Sequence, residues 1–294
     1  MERVRVGIVG VENSHADHIV RRLNVDQAHG AVRVTALVAG DRERTAHLAA
    51  LGGIDRVVAD IAELHGEIDA LIVTTRDGAT HRTLAVPFLD AGVPVWVDKP
   101  LALTVADGEA MVEAAERGGS ALASWSTLRW LADTDAIAVA LTGIGTLQSL
   151  TVTGPAEPDG AHGGLFFLGI HHADVAQRLL PGRATGVTVG ALPHGVVAEY
   201  RVGEVRVVLE FVRPTAGAQV PFHVTAVGRT GVVAREIVVG AEYVAPGVAA
   251  FARMLAVGVA PVTGAEMLAP VAVLERIVSQ RASEEQEARS AAGT

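Results

Sequence analysis

At 294 residues, half of them hydrophobic and 19% charged, the chain holds enough apolar material for a large buried core or two domains, which excludes a disordered protein. A net charge of −9 with no basic run argues against nucleic acid or an anionic membrane as partner and leaves a small molecule as the expected substrate. With no cysteine, disulfides, thiolate metal sites and a cysteine nucleophile are all excluded.

The opening residues MERVRVGIVGV set charges before a short strand-like run and lack the long apolar core of a signal peptide. No apolar run reaches membrane-spanning length without polar interruption, so the expectation is a cytoplasmic protein. Strand patterns over 5–9, 32–39, 70–74 and 93–97 alternate with helical patterns over 16–23, 42–51 and 81–91. Continuous Val/Ile/Leu strands separated by helices predict a Rossmann-type parallel sheet covered on both faces. A helix over 106–117 ends at Gly118-Gly119, and the strand-like SALASW follows.

Beyond Trp125 the texture changes to long Val/Thr-rich runs, GTLQSLTVTG to FHVTAVGRTGVVAREIVV, with one clear helix over 171–180. Consecutive strands without helices between them predict an open, mainly antiparallel sheet. A last helix is expected over 264–288, with a charged, Ala-rich tail. The fold class is therefore α/β: a dinucleotide-binding Rossmann domain over 1–122, then an α+β domain over 123–294 for substrate binding and oligomerisation.

Four motifs carry chemistry. In VGIVGVENSHADHIV, only Gly10 of a dinucleotide fingerprint is present, and Glu12 and His15 replace the second and third glycines. Asn13 or Ser14 is expected to cap the first helix, and Glu12 to oppose a pyrophosphate, so that Glu12→Gly would tighten nucleotide binding. After the second strand, Asp41 either reaches a ribose or starts the next helix, while Arg42 or Arg44 could face a 2′-phosphate. VPVWVDKPLAL delivers Asp98, Lys99 and Pro100 at a strand's carboxyl end, where ligands bind in open α/β sheets, with the Lys-Pro bond a candidate cis peptide. In GGLFFLGIHHADVAQRLL, His171 and Asp174 share a helix face and suit acid–base work.

Taken in order, VGIVGVENSH, TTRDGATH ending at His81, DKP at 98–100, SWSTLRW and FLGIHHAD at 167–174 resemble the Gfo/Idh/MocA family of sugar and polyol oxidoreductases. The resemblance implies NAD or NADP on the first domain, near Gly10, Glu12, Asn13, Ser14, His15, Asp41, Arg42, Thr75, His81, Asp98, Lys99 and Pro100. It implies a substrate held between the domains, with His171 as proton acceptor, Lys99 holding the hydroxyl and Asp174 positioning the substrate. His18 matches a histidine often seen in the family's first helix. The second sheet, pairing face to face as such sheets commonly do, implies a homo-oligomer.

This sequence departs from the pattern in three further places. Arg76-Asp77 replaces a Pro-Asn pair, Asp98 replaces a glutamate, and Phe167 stands at a catalytic carboxylate. The departures leave room for a non-redox lyase, isomerase or ligand-binding protein on the same scaffold. A metal site of Glu12, His15 and His18 with His171 and His172 has no recognised ligand spacing, and no metal is expected.

Overall fold

The computed structural model describes residues 3–292. Strands β1 (Val4–Val9), β2 (Val32–Val38), β3 (Arg56–Val58), β4 (Ala70–Val73), β5 (Val95–Val97) and β6 (Leu122–Ala123) form one parallel sheet in the order β3-β2-β1-β4-β5-β6. Every residue of β4 and β5 is buried, as strands covered on both faces require. The connections carry α1 (Ser14–Val20), α2 (Arg42–Gly52), α3 (His81–Asp90) and α4 (Val105–Gly118). Strand order reverses between β1 and β4, which opens a crevice at their carboxyl ends. Gly10 closes β1 at φ +97°, and a Cβ there would collide with the backbone of Thr74 and Thr75, so only glycine lets the two strand ends approach.

The other sheet is built from β7 (Leu147–Pro155), β8 (Ala184–Leu192), β9 (Gly195–Val202), β10 (Val205–Val212), β11 (Phe222–Gly228) and β12 (Val232–Ile237), in the order β12-β11-β7-β10-β9-β8. Its pairings are antiparallel except the central β7–β10 pair, which is parallel. Burial alternates along β7 and β9, so one face is packed and the other open. The helices of this part are α5 (Ala132–Leu141) and α6 (Leu165–Leu179), and α6 lies on the packed face with His172 against Phe211 and Phe222.

After β12 the chain forms α7 (Ala245–Val257) and α8 (Gly264–Ala292). Two compact units result: residues up to Thr127 with Gly240–Met267, and Leu128–Val239 with the residues from Leu268 onward. A single division near residue 122 does not describe this, because Phe251 of α7 packs on Trp96 of β5, whose indole also stacks on Trp125. Burial of these large rings fixes the returning segment to the first unit.

Other differences from the sequence reading have local causes. Helix α6 begins six residues before 171, directly after Gly163 and Gly164, both at positive φ. Gly169 weakens the helical pattern but is needed, since a Cβ there would press on Phe211 at 3.0 Å. Helices α5 and α7 and the short β3 were not anticipated. Among the described residues no helix is long and apolar enough to cross a membrane.

Candidate active site at the ends of β1, β4 and β5

The loop after β1 is fixed from within. Asn13 caps α1, its Oδ1 accepting from the His15 backbone N–H at 3.1 Å, while its Nδ2 donates to Asp98 Oδ2 at 2.9 Å. His15 Nδ1 meets the same oxygen at 2.8 Å. His15, Asn13 and Asp98 are all buried, so the histidine in place of a fingerprint glycine serves as a strut to the end of β5. Tyr243 completes this corner: its ring meets His15 and His18 edge-on at 5.6 and 5.3 Å.

Burial alone would raise the Asp98 carboxyl, but the charges of His15 and Lys99 pull it down to about 2. A carboxyl lowered on folding adds stability above its unfolded value, near 4, and that stability is lost as pH falls toward 2. The unfolding midpoint of the natural protein should therefore fall more steeply between pH 4 and pH 2 than that of Asp98→Asn. Thermal melts at those two pH values check this, and parallel curves would remove Asp98 as an acid-sensitive anchor.

Lys99 follows Asp98 and precedes a cis peptide bond to Pro100. Only 6% of its surface is exposed. Burial pushes its ammonium below the ordinary lysine value; Asp98 opposes the shift and Arg76 adds to it. His81 braces this loop from below. Its ring is wholly buried, with Nδ1 2.9 Å from Pro100 O and Nε2 3.0 Å from Thr75 O, so it joins the β4 and β5 loops and offers no surface to a ligand. Thr75 lies half-buried against Gly10, its hydroxyl 2.8 Å from that of Thr80.

At the end of β2, Asp41 proves to be the cap of α2, its Oδ1 accepting from Arg44 N–H at 2.9 Å. Arg44 is committed too: Nε donates to Val11 O at 3.1 Å, and the guanidinium pairs with the Asp17 carboxylate. Arg42 sits exposed on the first turn of α2. Glu12 is directed along the crevice rather than into the fingerprint turn. Its Oε1 fills the space a side chain at Gly40 would need and lies 3.4 Å from the Asp41 N–H. The carboxylate is drawn to the end of β2, away from the fingerprint turn in which the sequence sets it against a pyrophosphate.

In the second unit, His171 and Asp174 lie in the middle of α6, both buried. Asp174 Oδ1 accepts from Arg129 Nη1 at 3.0 Å, an ion pair with each side chain about 5% exposed. His171 meets Phe222 edge-on at 5.5 Å. Burial pushes the neighbouring His172 down to about 4, so it is a neutral core residue. Phe167, one helical turn before His171, packs on His162 with ring centres 5.4 Å apart. Among the described residues no group of three or more His, Cys, Asp or Glu is placed to hold a metal ion.

Sequence reasoning missed Tyr243, because nothing in GAEYVAP marks a residue that returns to the first loop from 228 positions away. It also gives no role to Arg129, which lies within SWSTLRW.

The fold and these residues can be set beside known proteins. Inositol 2-dehydrogenase 1 of Saccharopolyspora erythraea is 44% identical over 108 residues, 35% of this chain and 31% of that one. Inositol 2-dehydrogenase 2 of the same organism is 32% identical over 189 residues, 60% of this chain and 54% of the relative. The matched stretches thus span about half of these relatives or less. A dehydrogenase of Chromobacterium violaceum superposes with TM-score 0.83 at 16% identity, covering 99% of both chains. GenD2 from gentamicin A biosynthesis, solved with NAD, superposes with TM-score 0.80 at 19% identity over 96% of this chain and 95% of that one. At such identities these two establish the fold alone. Residues 4–124, all within the first unit, match the model of the Gfo/Idh/MocA oxidoreductase family with an NAD-binding Rossmann fold.

Proposed function

We propose that the protein is an NAD-dependent dehydrogenase of a cyclitol or sugar hydroxyl. The observation that carries this reading is Lys99, buried at the carboxyl end of β5 in a unit of an NAD-binding family. The residues fit the cofactor: the crevice at the strand reversal is retained, Gly10 keeps the β1 and β4 ends close, and Glu12, Ser14 and Thr75 are left at its surface. Asn13, His15 and Asp98 hold the loop in shape from beneath.

Bound nicotinamide would supply the hydride acceptor. Lys99 donates a hydrogen bond to the reacting hydroxyl and favours its ionised form, an effect strengthened where burial excludes water. The family resemblance gives the hydroxyl proton to His171, held in α6. Asp174, already paired with Arg129, then keeps α6 in place rather than exchanging protons itself. Inositol dehydrogenase relatives support a cyclitol as substrate and weigh against the non-redox alternative. Purified protein with NAD and a panel of inositols and aldoses should generate NADH absorbance with at least one polyol. Nucleotide binding without turnover of any CH–OH compound, in either direction, would refute the reading.

A further inference from the structure

We infer that Glu12 selects the nucleotide: its carboxylate accepts from the 2′-hydroxyl of an adenosine ribose and repels a 2′-phosphate. This rests on the dinucleotide reading of the first unit. In Rossmann folds a carboxylate at the end of the second strand usually takes the ribose. Here that turn holds Gly40 and Asp41, and the Asp41 side chain is occupied as the cap of α2. The acid at the usual position is therefore partly committed to its own helix, with Oδ1 taken by the Arg44 N–H.

The loop after β1 provides a second acid. The Glu12 carboxylate lies over Gly40, in space that any side chain at position 40 would take, and leans on the Asp41 N–H at 3.4 Å. Glu12 itself is exposed, so its carboxylate stays accessible from the crevice. The substitution of a fingerprint glycine by glutamate and the glycine at 40 are thus two halves of one arrangement. The β1 loop brings an acid to the β2 end, and position 40 gives up its side chain to admit it.

The surrounding charges favour the unphosphorylated ribose. Arg44, which stands beside Glu12 and could otherwise pair with a 2′-phosphate, donates to Val11 O and is neutralised by Asp17. A phosphate at this position would meet Glu12 with that guanidinium already taken. Arg42 is the one neighbouring cation on the exposed turn of α2 that works against this selection, and the experiment weighs it directly.

The test is equilibrium titration of NADH and NADPH into the protein and into Glu12→Gln, followed by nucleotide fluorescence, with thermal melts to confirm folding. Glutamine keeps the shape and removes the charge. The natural protein should bind NADH about tenfold or more tighter than NADPH, and Glu12→Gln should bring the ratio to within about threefold, mainly by improving NADPH. An unchanged ratio in the variant, or a natural protein that prefers NADPH, overturns the assignment of Glu12 while leaving dinucleotide binding intact. Folded protein that binds neither nucleotide overturns the dinucleotide reading and this assignment with it.

Discussion

Replacing Lys99 by alanine should lower kcat by about 100-fold or more, and His171→Ala should do the same, the range expected when a group that manages a reacting proton is removed. The two differ in what remains. Lys99 sits in the unit that carries the NAD-binding match, yet the Asn13–Asp98–His15 brace does not depend on its amine, so NADH binding should persist in Lys99→Ala. His171 belongs to the other unit, and its loss should leave NADH affinity within about twofold, well under the 1.4 kcal/mol that marks a tenfold change. Steady-state assays and NADH titrations on both variants check this. Activity that survives either substitution moves the chemistry to other residues.

The largest change in stability is expected from Arg129→Ala. Its guanidinium and the Asp174 carboxylate are each about 95% buried and 3.0 Å apart. Removing one partner of such a pair leaves the other charge in a medium that solvates it poorly, at a cost of about 3–5 kcal/mol. Substituting both residues by apolar ones of similar size should recover much of the loss, because the pair's attraction largely repays its own desolvation. Urea unfolding of the single and double variants measures the coupling. A loss below about 1 kcal/mol for Arg129→Ala would mean that water reaches the pair and that α6 is held chiefly by Phe211 and Phe222.

Much of the first unit was legible because its signals are local. Buried parallel strands such as ALIV at 70–73 carry no polar positions, and VPVWVDKP joins a strand to its ligand-bearing end within eight residues. The order of motifs was enough to point to the family. What escaped the sequence was direction. A glutamate in a fingerprint turn reads as a charge facing phosphates, and only the missing side chain at Gly40 shows where the carboxylate goes. Asp41 likewise suits two roles by spacing, and its bond to the Arg44 N–H shows the capping one. His81 and Asp98 were placed near a cofactor by resemblance; their burial shows that they hold the loops that line the crevice. In the second unit, consecutive Val/Thr-rich runs without helices between them pointed to an open antiparallel sheet, while α5 and α7, rich in alanine and valine, resembled the strands around them.

The return of Gly240–Met267 to the first unit sets a timetable for biosynthesis. A ribosome releases the parallel sheet early, but the face of Trp96 that Phe251 covers and the corner that Tyr243 closes must wait for more than a hundred further residues. During that interval the emerging Rossmann half carries uncovered indole and imidazole surface, the kind that chaperones bind and that associates between nascent chains. A gene cut after codon 127 would therefore yield a fragment lacking part of its own core, and a nick between the units would not free an independent nucleotide-binding module.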